Sequence, residues 1–163
     1  MSLQTGQPIA TVLRPVINQL NLEVMALHCQ FGRGKNQVGV ILLRDVRQFA
    51  ADCVIIDSFD EIEDAGEIVR LQKIMEQDFN PIGKQVVNES GQRLGKTEDY
   101  TINLKTGMLQ KLYVHQSLMK SLLFNNLVVD RTQIIEISPK QFTVKDASVK
   151  QPSLTPHALP QGK

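Results

Sequence analysis

GKQVVNESGQRLGKTEDYTINLKTGMLQKLYVHQ, residues 83–116, carries the pattern that decides the fold. Its apolar residues come in short extended runs, rich in Val, Leu and Ile, and too brief or too alternating for long helices. Glu89-Ser90-Gly91 and Lys105-Thr106-Gly107 cut the runs, placing glycine where a tight hairpin or bulge requires a positive φ. A second block, NNLVVDRTQIIEISPKQFTVKD at 125–146, continues the same grammar. Between the two, SLMKSLLF at 117–124 reads either as one or two helical turns or as an apolar loop covering the end of a barrel.

Upstream the pattern is also extended: PIATVL at 8–13, VINQLNLEVMALHC at 16–29, VGVILLRDVRQF at 38–49 and DCVIIDSF at 52–59. These segments repeat the later ones. PIATVLRPVIN at 8–18 aligns without a gap with RLGKTEDYTIN at 93–103, matching Ile9 with Leu94, Val12 with Thr97 and Ile17 with Ile102. Each segment reaches an Asn and a turn, after which LEVMAL at 22–27 corresponds to GMLQKL at 107–112. With small insertions, ILLRDVRQFAADCVIID at 41–57 lies over VVDRTQIIEISPKQFTVKD at 128–146. Repetition on this scale points to two small β units, each closing an antiparallel barrel that removes exposed strand edges. The rival architecture is one β-sandwich built from both halves.

Between the halves, the spacing of Ile62, Ile68, Leu71, Ile74 and Met75 changes to the helical period, predicting a connecting helix near 64–79. Asp64 is the expected N-cap, with Glu67 completing a capping box and Asn80-Pro81 ending the helix. From about Ala147 the composition shifts to ASVKQPSLTPHALPQGK, a tail expected to be flexible because it has few groups able to offset the entropy of ordering.

Composition limits the classes of function. Of 163 residues, 42% are hydrophobic, so a packed core is expected. Aromatics make up only 5%, which argues against a base-stacking platform for single-stranded nucleic acid. The net charge of +1 gives no global attraction to nucleic acid or anionic lipid, so any electrostatic partner must be engaged locally. That charge is unevenly placed: residues 51–80 hold nine acidic and two basic side chains. No run of apolar residues is long enough for a membrane span and no signal-peptide pattern opens the sequence, so a cytoplasmic protein is expected, with indirect or peripheral membrane association through a partner left open.

The second half resembles the PRC-barrel family, the β-barrel module named from the photosynthetic reaction-centre H subunit and also found at the C-terminus of a ribosome-maturation factor. The resemblance is clearest over 82–146, where Gly83-Lys84-Gln85-Val86-Val87 matches the opening strand, Gly91 its turn, and Leu94-Gly95-Lys96 the second strand entry. Asp99, Ile102, Gly107, Leu112 and Val114 fit the next hairpin, and Val128, Val129, Arg131, Ile134, Ile135, Ile137 and Asp146 the closing part. Residues 6–57 resemble the family more distantly: Pro8, Ala10 and Pro15 stand where the second half has Arg93, Gly95 and Tyr100. The resemblance implies a mainly β protein of two small antiparallel PRC-barrel-like domains at 5–57 and 82–146. An acidic linker and short helix at 58–81 would join them, with the tail at 147–163. It also implies a non-catalytic docking or assembly module, without naming the partner.

The residues offer few chemical motifs. His28, His115 and His157 lie in no HExxH or metal-spaced cluster, and Cys29 and Cys53 form no zinc knuckle, so catalytic, cofactor and metal residues are all expected to be none. His28-Cys29 with Cys53 would make only a partial metal or Cys/His site; buried, reduced thiols are the simpler expectation. A small hydrolase or metal enzyme would need a third group.

Interaction candidates are stronger. Phe31-Gly32-Arg33-Gly34-Lys35-Asn36-Gln37 exposes backbone N–H groups beside Arg33 and Lys35, which could neutralise a phosphate, or is simply a soluble hairpin loop. Asp60 and Glu61 lie in an acidic run that reads either as a solvated helix entrance or as a patch for a basic surface. Leu118, Leu122 and Phe124 form either an anchor patch or part of the core. The expected function is an adaptor that docks protein subunits; the alternative is an RNA-associated assembly factor using Arg33, Lys35 and the basic second half.

Overall fold

The structure, a computed structural model, describes residues 1–116 and 127–145. It is mainly β. The first half contributes β1 (Ala10–Asn18), β2 (Glu23–Phe31), β3 (Gln37–Leu42), β4 (Val46–Phe49) and β5 (Val54–Ile56). The second contributes β6 (Gln85–Asn88), β7 (Arg93–Ile102), β8 (Leu109–His115), β9 (Leu127–Asp130), β10 (Ile134–Ile137) and β11 (Gln141–Val144). Among the described residues one α-helix forms, α1 (Val69–Glu76). The strands make a sheet β1-β2-β3, a hairpin β4-β5 and a six-stranded sheet β10-β11-β6-β7-β8-β9.

The halves match pair for pair. In β1-β2, Val12 faces Cys29, Arg14 faces His28, Pro15 faces Leu27, Val16 faces Ala26 and Ile17 faces Val24. In β7-β8, Thr97 faces Val114, Asp99 faces Tyr113, Tyr100 faces Leu112, Thr101 faces Lys111 and Ile102 faces Leu109. Both ladders shift register at the same two places, so even the bulges correspond. The 3-10 turns Leu43–Asp45 and Arg131–Gln133 then lead into the hairpins β4-β5 and β10-β11, which share one register. Pairing is antiparallel except where the chain returns beside its opening segment: β11 runs parallel to β6, and Ile56 makes a parallel bridge to Ser2.

Bulges are what let the first sheet be buried on both sides. The extra residue Met25 shifts alternation by one, so Val24, Leu27 and Cys29 enter the larger core while Ala26 joins Val16 and Val40 on the other face. Leu71 and Ile74 of α1 cover that second face. At the matching positions the second half has Thr101, Lys111 and Val128, and no helix covers them among the described residues.

The helix expected near 64–79 is shorter, Val69–Glu76. Asp64 does cap, its carboxylate accepting from Gly66 N at 2.8 Å, but it caps the 3-10 turn Ala65–Glu67, and the capping box with Glu67 is not formed. Ile68, at φ −102° and ψ 88°, separates this turn from α1. The helix ends before Asn80-Pro81 because the chain turns at Asp78 (φ 43°) to bury Phe79, whose ring meets Phe142 edge-on at 6.2 Å. A full capping box occurs instead at Asp130 and Gln133.

The halves touch at matching residues. Val24 N donates to Gly107 O at 2.8 Å, and Leu109 N donates to Leu22 O at 3.0 Å, around a bridge between Glu23 and Met108. Exchange between equivalents describes a local two-fold relation. On either side the 3-10 turns reach across: Leu43 packs on Gly107, and Arg131 Nη2 donates to Asn21 O at 2.8 Å. The main core is continuous, with Ile17, Leu22, Val24, Cys29 and Ile56 in one cluster with Phe79, Val86, Leu109, Leu112 and Phe142. Among the described residues no helix is long and apolar enough to cross a membrane.

Candidate docking surface

Four of the seven interaction candidates fall in one neighbourhood, gathered by Phe31. β2 ends at Phe31, and the loop that follows turns through Gly32 (φ 82°) into the 3-10 turn Arg33–Lys35. The Phe31 ring meets Phe59 edge-on, with centroids 5.3 Å apart. Phe59 opens the 3-10 turn Phe59–Glu61, capped by Ser58, whose hydroxyl accepts from Asp60 N at 3.2 Å. The basic loop and the acidic turn are thus tied by one aromatic contact, worth on the order of 1 kcal/mol beyond its buried area. Arg33 makes no ion pair with Asp60 or Glu61 among the described residues.

After this turn the chain crosses the edge of the first sheet. Glu63 and Val40 exchange two backbone hydrogen bonds of 2.9 Å. Glycine at 39 admits the crossing, since a Cβ there would stand 2.9 Å from both Glu63 O and Ile62 Cγ2. The acidic run is therefore held on a sheet edge by its backbone. Asp57 is paired, its carboxylate accepting from Arg47 Nε at 2.8 Å, and this hydrogen bond holds its pKa below the ordinary value. Asp60, Glu61, Glu63, Asp64 and Glu67 have no ion-pair partner among the described residues.

Phe59 was not among the residues singled out from sequence. It is 48% exposed, although one edge is fixed by Phe31. The available signal was an aromatic residue within an otherwise acidic and polar turn, Ser58-Phe59-Asp60-Glu61. Leu118, Leu122 and Phe124 lie outside the described residues, in the connection between β8 and β9 that corresponds in chain order to the Arg33 loop between β2 and β3.

The His28-Cys29 pair has no shared geometry for catalysis. As neighbours on β2 they point to opposite faces of the sheet. Cys29 enters the core, where burial pushes its thiol pKa up, and His28 lies opposite Arg14 on the helix-bearing face, where burial and then the guanidinium charge push its pKa down. Among the described residues no three His, Cys, Asp or Glu side chains gather as a metal would require. Elsewhere, burial lowers the Lys84 pKa and raises that of Tyr100. Lys84 is held over the Phe79 ring with its ammonium donating to Pro139 O, which is a packing arrangement.

The chain matches no protein-family model and no curated protein.

Proposed function

We propose that this protein is a non-catalytic adaptor, a tandem PRC-barrel-like molecule that docks protein subunits through the surface around Phe59, Asp60 and Glu61. The observation that carries the reading is a half-exposed aromatic ring, anchored on Phe31, beside Asp60 and Glu61, which form no ion pair among the described residues. An aromatic anchor supplies buried area on association, and the surrounding like charges favour a partner surface bearing Lys and Arg. The matching order of elements in the two halves supports the PRC-barrel-like units at 5–57 and 82–146, with 58–81 between them. In this reading the protein works in the cytoplasm, and any membrane attachment is peripheral and made through the partner.

A second reading, an RNA-associated assembly factor, is favoured by one feature: Arg33 is exposed in the glycine-containing loop and has no ion-pair partner among the described residues. The carboxylates of Asp60 and Glu61, on the turn joined to this loop by the Phe31–Phe59 contact, weigh against phosphate.

Native co-purification, followed by identification of the partner and titration with purified components, separates the two. Asp60→Lys/Glu61→Lys and Phe59→Ala are each expected to weaken a protein partner by about tenfold or more, with the thermal midpoint little changed. Unaltered affinity in both variants would reject this surface. Recovery of RNA, with binding that falls steeply with salt and after Arg33→Ala/Lys35→Ala, would favour the second reading.

A further inference from the structure

The second half shows what fits between two strand edges of the first. There β6 lies between β7 and β11: Val86 pairs with Gly95 on one side and Phe142 on the other, and is fully buried. Asn88 ends this strand, pairing with Val144 and donating its N–H to Gln92 O at 3.0 Å. Ser2 does the same in the first half, bridging to Ile56 and donating its N–H to Gln7 O at 3.1 Å. Met1 continues the match, its carbonyl accepting from Ile56 N at 3.0 Å. Further along the same groove the counterparts of Gly95 and Phe142 are Ala10 on β1 and Val54 on β5.

These two edges are exposed where their counterparts are covered. Thr97 is 2% exposed; its N–H donates to Lys84 O and its carbonyl accepts from Gly83 N. Val12, at the same place on β1, is 39% exposed and forms no corresponding bond among the described residues. On the other side Gln85 N donates to Lys140 O, whereas the matching carbonyl of Asp52 has no corresponding donor among the described residues. Phe142 is fully buried, and Val54 only half-buried.

We propose that the groove between β1 and β5 accepts an extended segment of a partner polypeptide as an added strand, antiparallel to β1 and parallel to β5, with a β-branched apolar residue between Ala10 and Val54. The chemistry of the occupant follows from Gly83-Lys84-Gln85-Val86, which takes the equivalent place in the second half. Strand edges on both sides offer backbone groups, so main-chain hydrogen bonds supply affinity and the inward side chain supplies selectivity. The site is distinct from the surface around Phe59, Asp60 and Glu61, and the inference does not depend on that surface.

Titration of the isotope-labelled full chain with the acetylated, amidated tetrapeptide Gly-Lys-Gln-Val, followed by amide NMR, tests it. The expected result is saturable shifts centred on Ala10, Val12 and Val54, with exchange of the Val54 amide slowed. The same peptide with proline in place of its valine lacks one N–H and should bind about fivefold more weakly or worse. Phe59→Ala should bind the original peptide unchanged, which separates this site from the other surface. Absence of saturable shifts at these amides, or equal binding of the proline peptide, would overturn the proposal. So would slow exchange at Val12 and Val54 in the natively isolated protein without added peptide, as a second copy or residues ahead of Met1 in the groove would give.

Discussion

At the scale of residues, the repeat is most telling where its two copies differ in side chain and agree in backbone. Leu22 and Gly107 close matching turns, both with positive φ, 59° and 71°. Each is preceded by an Asn whose side-chain oxygen accepts a backbone N–H two residues on, at 3.0 Å for Asn18 and 2.9 Å for Asn103. Leucine is tolerated at 22 because burial of its side chain offsets a left-handed conformation that costs about 1–2 kcal/mol. Position 107 has no such compensation, since a Cβ there would stand 2.5 Å from Leu43 Cδ2. Gly107→Ala is therefore expected to destabilise the protein by about 1–3 kcal/mol, read from chemical denaturation. A neutral effect would mean that Leu43 is not seated on this turn. The sequence made both Asn-led turns visible, because Asn in a turn acts through its own backbone. It did not reveal the pairing of residue 22 with residue 107, which is a contact between segments far apart in the chain.

At the scale of elements, strand positions were legible and helix length was not. Alternation marks a strand wherever one face is buried, so β1, β2, β7 and β8 stand close to where the apolar pattern places them. The spacing from Ile62 to Met75 suggested three turns, but Ile62 and Ile68 serve other contacts: Ile62 belongs to the larger core, and Ile68 breaks the chain between a 3-10 turn and α1. Tertiary packing overrode the period. An eight-residue helix has little stability alone, so α1 depends on its contact with the first sheet. Leu71→Ala should cost about 2–4 kcal/mol and lower the helical signal in circular dichroism before the main transition. Loss confined to the main transition would show that α1 and the sheet do not separate. The acidic neighbourhood was partly legible: charge counting found Asp60 and Glu61, whereas the ring contact that brings them to the Arg33 loop depends on the Phe31–Phe59 pairing.

At the scale of the molecule, two similar halves meet at equivalent residues and bury their apolar side chains in a continuous cluster. A shared core of this kind couples the halves, since removing either exposes the inner face of the other. On the proposed adaptor reading, this coupling would fix the orientation of a docking surface on the first half relative to the second. The two halves carry separate reporters. Tyr100 and Tyr113, the only tyrosines, lie on β7 and β8, and Cys29 is buried on β2. In a Cys53→Ser background, Cys29 thiol reactivity follows the first half and tyrosine fluorescence the second. The account predicts that the two signals trace one urea transition with a common midpoint, and two separated midpoints, with either half remaining folded while the other is open, would contradict it.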